Sequence, residues 1–415
     1  MNIYFSGIGG VGIGSLAMIA KDAGNSVSGS DPHSGLMVEQ LKKHSASISD
    51  DQSGEFLRSK HADQSIDWFV HTAALPSDHA ELKLAKELGI KTSKRDELIA
   101  HIVTEKNLKL IAVSGTHGKT TTTGMLIWLA KYFSIPVSYS IGTTLSWAPS
   151  GKYTPGSEYF IYECDEFDRN FLAFNPFISL ITTIEHDHAD TYPTKSEYFE
   201  AFKQFAHQSE QIITWKEYDD LMPAEKTVLV EETSPYLRLP GEHNRRNASL
   251  ILAALEKFNL PAKYAADGLN KFPGTNRRFE NLAKNLYSDY GHTPSEIKAT
   301  LQMARELAKN VTLVYQPHQN IRQHEIRDQY TDEVFENASE IYWLPTYLSR
   351  EKPGLEILKP EGLTKNLKKD NLHLSEMNND LWQSIEIARQ ENKLVLCMGA
   401  GDIDDWVREK SRQQI

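Results

Sequence analysis

The segment SGTHGKTTTTG, residues 114–124, carries the residue types that bind nucleoside phosphates. Its spacing is shorter than the usual G-x-x-x-x-G-K-[ST] loop, because Gly115 stands only three residues before Gly118. Glycines let backbone N–H groups approach a phosphate closely, Lys119 can neutralise terminal phosphate oxygens, and Thr120 can ligate magnesium. A threonine-rich helix N-cap is the alternative, but it leaves the glycines and the lysine unexplained. The segment therefore predicts triphosphate binding.

A second glycine loop, GIGGVG, begins at Gly7. Gly7, Gly9 and Gly12 follow a predicted strand and open a predicted helix, and Asp31 ends the next predicted strand. Backbone N–H groups at such a helix N-terminus can hold a pyrophosphate. A glycine turn that only packs a strand against a helix explains this short pattern equally well. The loop alone leaves both interpretations open.

Acidic and histidine side chains follow two apolar strands. In YECDEFD, alternation places Glu163 and Asp165 on one face of the strand, whereas Glu166 and Asp168 are expected in a solvated turn. The strand FISLITTI is followed by His186, Asp187, His188 and Asp190. Neighbouring strand ends form the edge at which open α/β sheets bind ligands, and carboxylates suit magnesium. A magnesium site opposite the phosphate loop is therefore predicted.

Three α/β series must position these residues, and about 150 residues per domain agrees with a chain of 415. In residues 1–104, strand and helix signals alternate, which predicts a mostly parallel sheet. Residues 105–275 hold the strands YFIYECDE, FISLITTI and QIITW and close with the helix HNRRNASLILAALEKF. Residues 276–415 begin a third series and finish on KLVLCMGAGDI. The polar stretch HIVTEKNLK is taken as the first connection.

The charge and composition of the chain argue against a nucleic-acid-binding protein and against a membrane protein. The net charge of −11 argues against a nucleic-acid partner, and no apolar run approaches the roughly 20 residues that span a bilayer. The first ten residues resemble a buried strand rather than a signal peptide. Cys164 and Cys397 form no ligand-type pair, and Cys164 is expected to be a small apolar filler. We therefore expect a cytoplasmic monomer or homodimer without a membrane partner.

A family resemblance follows from the order of the motifs. GTHGKTTTT, ECDEFD, TTIEHDHADTY, GEHNRRNA, NRRFE, YSDYGHTPSEI and MGAGDI occur in the order found in the Mur ligase family and span nearly the whole chain. The resemblance implies an α/β fold of three domains: Rossmann-like over 1–104, P-loop ATPase-like over 105–275 and Rossmann-like over 276–415. It also implies that the short loop binds ATP and that the N-terminal loop holds the pyrophosphate of a UDP-sugar, not NAD.

The resemblance assigns roles to single residues. The residues implied in ATP binding are Gly115, Thr116, His117, Gly118, Lys119, Thr120, Thr121, His243, Asn244, Asn247, Arg278 and Asp289. The residues implied in binding the other substrates are Gly9, Gly10, Gly12, Asp31, Arg95 and Tyr290. Magnesium is expected on Thr120, Glu163 and His188, and the catalytic residues are expected to be Lys119, His188, His292 and Arg322.

The reaction implied is an ATP-dependent ligation in peptidoglycan precursor synthesis. The carboxylate of UDP-N-acetylmuramate is a poor electrophile, and transfer of the γ-phosphoryl group converts it to an acyl phosphate with a good leaving group. The amine of an amino acid, with L-alanine expected, then displaces phosphate. Magnesium and Lys119 would stabilise charge on the moving phosphoryl group. No protein nucleophile is required.

Departures from the family pattern leave alternatives open. Arg322 is kept, but Gln319 and His324 stand where alanine-adding members carry arginines, so the identity of the amino acid is open. Lys203 has the spacing of a carbamylated lysine found in sister ligases, although a solvated lysine is the favoured interpretation. The alternative functions are ligation of a recycled peptide to the same sugar nucleotide, an NAD-dependent oxidoreductase, and a non-catalytic sugar-nucleotide binder.

Overall fold

The computed structural model describes residues 1–33, 35–72, 75–188, 191–256, 262–349, 351–367 and 370–413. The chain forms two compact units: unit 1 comprises Met1–Leu237 and Asn247–Phe272, and unit 2 comprises Arg238–Arg246 and Pro273–Ile415. Across the described ranges, no helix is both long enough and apolar enough to cross a membrane.

The first sheet of unit 1 has five parallel strands in the order β3-β2-β1-β4-β5. Its strands are β1 (Asn2–Ser6), β2 (Ser26–Ser30), β3 (Ser47–Ser49), β4 (Trp68–His71) and β5 (Lys91–Lys94). Its helices are α1 (Val11–Asp22), α2 (Leu36–Lys43), α3 (Glu55–Asp63), α4 (Ala80–Glu87) and α5 (Arg95–Glu105). The strand order reverses at β1, so the first glycine loop leaves the sheet where such folds bind ligands.

The second sheet of unit 1 has the order β12-β11-β10-β6-β9-β7-β8, in which only the β7–β8 pairing is antiparallel. Its strands are β6 (Lys109–Ser114), β7 (Val137–Ser140), β8 (Gly151–Lys152), β9 (Tyr159–Glu163), β10 (Ile178–Ile181), β11 (Gln211–Trp215) and β12 (Thr227–Val230). Its helices are α6 (Lys119–Tyr132), α7 (Lys195–Gln208), α8 (Glu242–Glu256), whose first turns belong to unit 2, and α9 (Ala262–Leu269). Because β6 pairs with both β9 and β10, the phosphate loop lies between the two predicted acidic strand ends.

The sheet of unit 2 has the order β13-β14-β18-β15-β16-β17, with an antiparallel pairing between β13 and β14. Its strands are β13 (Glu280–Ala283), β14 (Leu286–Asp289), β15 (Val311–Tyr315), β16 (Glu340–Trp343), β17 (Leu372–Leu374) and β18 (Leu394–Met398). Its further helices are α10 (Pro294–Leu307), α11 (Asn320–Ile326), α12 (Pro360–Leu363), α13 (Asn379–Gln390) and α14 (Ile403–Arg412). A capping box between Thr293 and Glu296 starts α10 directly after the YGH segment.

The three predicted α/β series correspond to three sheets, but one connection differs. HIVTE forms the last part of α5 rather than a polar linker, and its Ile102 belongs to the buried face that this helix forms with Leu98 and Ile99. One hydrophobic core joins the first two sheets, and they share a compact unit. The division into 1–104, 105–275 and 276–415 therefore stays a prediction. Cys164 is buried in this core, as expected for an apolar filler.

Candidate active site

The phosphate loop joins β6 to α6 in a conformation that requires glycine. Gly115 has φ of 132°, and a Cβ atom there would lie 2.3 Å from Thr182 Oγ1. Gly118 has φ of 86°, and a Cβ atom there would lie 2.7 Å from Asn247 Oδ1. These backbone angles favour glycine, and both contacts are too short for a methyl group. The loop leads directly into α6, a helix of 14 residues. Backbone N–H groups at the N-terminus of such a helix favour binding of an anion.

The centre of the loop is fastened to the segment that follows β10. Thr116 N donates to Thr183 O at 2.9 Å, and His117 N donates to Thr183 Oγ1 at 2.8 Å. Thr116 Oγ1 also accepts a hydrogen bond from Glu185 N at 2.8 Å. Thr121 lies half-buried in the first turn of α6. Thr116 and His117 thus hold the loop in shape.

Lys119 lies in a cluster of carboxylates. Its Nζ donates to the two carboxylate oxygens of Glu166 at 2.7 and 3.0 Å and to Gly115 O at 2.6 Å, and it lies 3.9 Å from Asp165. Burial alone would lower the pKa of Lys119, but the charges of Glu166 and Asp165 outweigh it and raise the pKa. Lys119 is therefore a charged ammonium group at neutral pH.

Two of the three predicted magnesium ligands are in direct contact. Thr120 Oγ1 donates to Glu163 Oε1 at 2.7 Å, and Gly142 N donates to the other carboxylate oxygen of Glu163 at 2.8 Å. A hydroxyl and a carboxylate at the start of a phosphate-binding helix are oxygen ligands of the kind that magnesium prefers.

His188, the third predicted ligand, belongs to a neighbouring group. Its potential ligand atom and those of Asp165 and Glu166 all lie within 4.8 Å of one another. His188 Nε2 is 3.5 Å from Glu166 Oε1. Burial opposes protonation of His188, but the hydrogen bond to Glu166 and the charge of Asp187 raise its pKa overall. Asp190 lies outside the described residues.

The expectation that Glu166 is solvated is wrong. Its side chain is fully buried, and it contacts both Lys119 and His188. The signal was present in the strand alternation, because Glu166 continues the buried face formed by Tyr162 and Cys164. Asp168, by contrast, is exposed as expected.

The first glycine loop is shaped by Asp31. One carboxylate oxygen of Asp31 accepts a hydrogen bond from Gly9 N at 2.8 Å, and the other accepts one from His33 N at 3.0 Å. Gly10 N donates to Gly7 O at 3.2 Å and closes the turn. In this structure the side chain of Asp31 therefore stabilises the loop by accepting hydrogen bonds from backbone N–H groups.

The first glycine loop borders a cavity of about 200 Å³ that is also lined by Glu163, the hydrogen-bond partner of Thr120. It is lined by Gly12, Arg95, Ser140, Ile141, Gly142, Tyr162, Glu163 and Asp165. A Cβ atom on Gly12 would lie 3.0 Å from Arg95 Nη1. Arg95 Nη2 lies 3.5 Å from Asp96 Oδ1, to which the Tyr162 hydroxyl also donates. Residues predicted for acceptor binding and for metal binding thus face the same space.

Unit 2 holds a second group of predicted residues. Arg322 Nη1 donates to His292 Nε2 at 2.7 Å, and His292 Nδ1 lies 3.1 Å from Tyr290 O. The guanidinium of Arg278 lies 5.1 Å from the centre of the Tyr290 ring. Burial lowers the pKa of His292, so its imidazole is neutral and can accept the bond from Arg322.

The remaining residues predicted for ATP binding are divided between the two units. Asn247 touches the phosphate loop in unit 1, whereas His243, Asn244, Arg278 and Asp289 belong to unit 2. Asn244 Nδ2 donates to Pro240 O at 3.0 Å. Asp289 accepts hydrogen bonds from Phe279 N and Gly291 N, both at 2.7 Å, and burial raises its pKa to about 6. Asn244 and Asp289 therefore hold local backbone in this structure.

The residues that depart from the family pattern have local partners. Gln319 is the N-cap residue of α11 and has φ of 60°, and its N–H donates to Tyr347 O at 2.9 Å. His324 Nε2 lies 2.9 Å from Glu356 O. Lys203 pairs with Glu200 at 2.8 Å and is 39% exposed. The contacts of Lys203 favour the solvated interpretation.

Comparison with known proteins decides the family. Two family models match: "Mur ligase family, catalytic domain" over residues 2–107 and "Mur ligase middle domain" over residues 113–224. The UDP-N-acetylmuramate–L-alanine ligase of Fusobacterium nucleatum subsp. nucleatum is 30% identical over 98% of this chain and 96% of its own length. The ligase of the same name from Clostridium acetobutylicum is 31% identical over 97% and 95%. The chain belongs to the Mur ligase family.

Solved structures agree with this membership. The UDP-N-acetylmuramate-alanine ligase of Thermotoga maritima superimposes with a TM-score of 0.78 and 25% identity, over 100% of this chain and 99% of that one. A murein peptide ligase of Psychrobacter arcticus shares the fold, with a TM-score of 0.64 and 20% identity over 100% and 99%. The predictions of the Mur ligase fold and of an ATP-dependent ligase in peptidoglycan precursor synthesis are confirmed. The oxidoreductase and non-catalytic alternatives do not hold.

Proposed function

We propose that this Mur ligase forms an amide between the carboxylate of UDP-N-acetylmuramate and the amino group of L-alanine, with cleavage of ATP to ADP and phosphate. The observation that carries the proposal is the cavity in which Gly12 and Arg95 face Glu163, the partner of Thr120. A sugar nucleotide bound at Gly12 and a triphosphate bound at the phosphate loop would meet there. The names of the ligases in Fusobacterium and Clostridium support the same substrates.

The phosphate loop suits a triphosphate bound with magnesium. Gly115 and Gly118 let the loop pack closely against Thr182 and Asn247, where a Cβ atom would clash, and Lys119 is charged. Thr120 and Glu163 would supply oxygen ligands to one ion, and His188 would help to hold a second with Asp165 and Glu166. When bound, magnesium withdraws negative charge from the phosphoryl oxygens. Lys119 would add a positive charge at the same group.

In the first step, a carboxylate oxygen of the acceptor attacks the γ-phosphorus of ATP. The bond to the β–γ bridging oxygen breaks, and ADP leaves with that electron pair. Arg95 would hold the acceptor carboxylate, because its planar guanidinium can donate two parallel hydrogen bonds. Asp96, which accepts a hydrogen bond from the Tyr162 hydroxyl, lies 3.5 Å from Arg95 Nη2 and would orient the guanidinium.

In the second step, the amine of the amino acid attacks the acyl carbon, and phosphate leaves with the electrons of the carbon–oxygen bond. Arg322 would bind the carboxylate of the amino acid. Once Arg322 is engaged there, Nε2 of the neutral His292 would be available to take the proton that the amine loses. Because its substrates are small molecules of the cell interior, we place the reaction in the cytoplasm, catalysed by a monomer or homodimer.

A phosphate-release assay tests this function. The purified protein is mixed with Mg-ATP, UDP-N-acetylmuramate and either L-alanine, glycine, L-serine or the tripeptide L-alanyl-γ-D-glutamyl-meso-diaminopimelate. We expect phosphate release to be fastest with L-alanine and to require the sugar nucleotide. Release with the tripeptide but with none of the amino acids would replace this proposal with peptide ligation, and Gln319 and His324 would then be the first residues to exchange.

A further inference from the structure

Glu81 is a buried carboxylate that the reaction above does not use. Its side chain is completely buried in the first turn of α4. Within the described ranges, no lysine, arginine or histidine forms an ion pair with it, and its partners are hydroxyl groups. A buried carboxylate without a cation is costly unless hydrogen bonds replace its water shell. The arrangement around Glu81 supplies such bonds.

Three hydroxyl groups donate to the Glu81 carboxylate. Tyr4 OH donates to Oε1 at 2.6 Å, and Ser6 Oγ and Ser30 Oγ donate to Oε2 at 2.6 and 2.8 Å. Gln52 Nε2 donates to Ser30 Oγ at 3.2 Å and extends the network. Tyr4, Ser6 and Ser30 are themselves fully buried. The carboxylate therefore links α4 to the ends of both β1 and β2.

These two strand ends are the supports of the first glycine loop. Ser6 immediately precedes Gly7, and Ser30 immediately precedes Asp31, whose carboxylate holds Gly9 N. The backbone oxygen of Ser30 accepts hydrogen bonds from Gly7 N at 2.9 Å and Ile8 N at 3.1 Å. Any shift of Ser6 or Ser30 would move both sides of the loop.

We infer that Glu81 is a positioning residue for acceptor binding: through Ser6 and Ser30 it sets the geometry of the loop that receives the diphosphate of the sugar nucleotide. This inference rests on the proposed function, because it takes that loop as the acceptor site. A residue that only fastens a helix to a sheet would change stability but leave substrate affinity alone. A positioning residue changes the affinity for one substrate selectively.

The test compares Glu81→Gln with Glu87→Gln, an exposed position on the same helix. We expect Glu81→Gln to raise the KM for UDP-N-acetylmuramate roughly tenfold, which is less than the roughly 10²-fold that a 1 Å misplacement of reacting groups can cost. The KM for ATP and the kcat should stay within about twofold, and Glu87→Gln should match the wild type. Ser30→Ala, which keeps the carboxylate, should raise the same KM and should not add fully to Glu81→Gln.

Calorimetry with UDP-N-acetylmuramate distinguishes binding of the sugar nucleotide from the effect of Glu81 on that binding. If the wild type does not bind the sugar nucleotide, the proposed function fails. If the wild type binds it, and folded Glu81→Gln and Ser30→Ala bind it with unchanged Kd, this inference is overturned. If Glu81→Gln does not fold, the Kd of Ser30→Ala for UDP-N-acetylmuramate is the deciding measurement, and an unchanged Kd overturns the inference.

Discussion

At the scale of single residues, the buried carboxylate of Glu166 accounts for the state of Lys119. An ammonium group removed from water tends to lose its proton, and a carboxylate at 2.7 Å reverses that tendency. Lys119 is thereby kept charged beside Gly115, where a terminal phosphate is expected. The charge of Lys119 should matter for phosphoryl transfer far more than for binding of the acceptor.

Lys119→Ala should reduce ADP formation by at least about 10³-fold, because it removes a positive charge from the transferred phosphoryl group. The Kd for UDP-N-acetylmuramate should stay within about threefold of the wild type. A coupled ADP assay and calorimetry measure the two quantities, with Lys131→Ala near the other end of α6 as control. Turnover within about tenfold of the wild type would remove Lys119 from the mechanism.

Lys203→Ala should leave kcat within about twofold, because Lys203 pairs with Glu200 on an exposed helix face. A carbamylated lysine that bridges metal ions would instead be essential. The check is steady-state kinetics of the variant, together with wild-type assays in buffer depleted of carbon dioxide. A large loss in the variant and restoration of wild-type activity by bicarbonate would show that the carbamylated interpretation is correct.

At the scale of elements, the turn between β6 and α6 depends on backbone angles that favour glycine. Gly118 has a positive φ, and a Cβ atom added there would clash with the side chain of Asn247. Gly156 also has a positive φ, of 79°, but a Cβ atom added there would meet open space. Comparing alanine substitutions at the two positions therefore distinguishes the cost of backbone strain from the effect of a clash within the phosphate loop.

Gly118→Ala should raise the KM for ATP at least about tenfold, because the methyl group must displace Asn247 or the loop. Gly156→Ala should cost about 1 kcal/mol of stability from its backbone angle alone and should leave the KM for ATP unchanged. Kinetics and thermal unfolding of both variants provide the comparison. Equal KM values for ATP in the two variants would mean that the turn does not contact the nucleotide.

The elements also show what sequence patterns can and cannot predict. Strands β6, β9 and β10 and helix α6 follow from apolar runs and glycines, so the phosphate loop and Glu163 could be placed before any coordinates. The helical spacing of Leu98, Ile99 and Ile102 was obscured by polar neighbours. The partners of a carboxylate depend on distant strands, so pattern alone could not predict that Glu166 would contact Lys119 and His188.

At the scale of the whole molecule, acid sensitivity should be concentrated in unit 2. Burial lowers the pKa of His243 and of His318 to about 4, and it also lowers that of His292. All three belong to unit 2. Below the ordinary pKa of 6.5, the unfolded chain takes up protons that the folded unit does not. Their contribution to stability is therefore complete above pH 6.5 and is lost as the pH falls towards 4.

Between pH 7 and pH 5, His243 should by itself lower the free energy of unfolding of unit 2 by about 2 kcal/mol, whereas Asp289, whose pKa is raised, acts in the opposite direction. His243→Asn should be less stable at pH 7 but should show a smaller difference between the two pH values. Urea unfolding measures the change, and hydrogen exchange assigns it to unit 2. The control is His207→Asn at an exposed position. An unchanged pH dependence in His243→Asn would contradict the buried neutral state.

In the proposed reaction, the terminal phosphoryl group of ATP passes to the carboxylate of the acceptor. The most direct test uses UDP-N-acetylmuramate labelled with ¹⁸O in its carboxylate, together with Mg-ATP and L-alanine. If an acyl phosphate forms, the oxygen that attacked phosphorus leaves with it, and each released phosphate carries one ¹⁸O atom. Unlabelled phosphate, released in step with amide formation, would exclude an acyl phosphate intermediate.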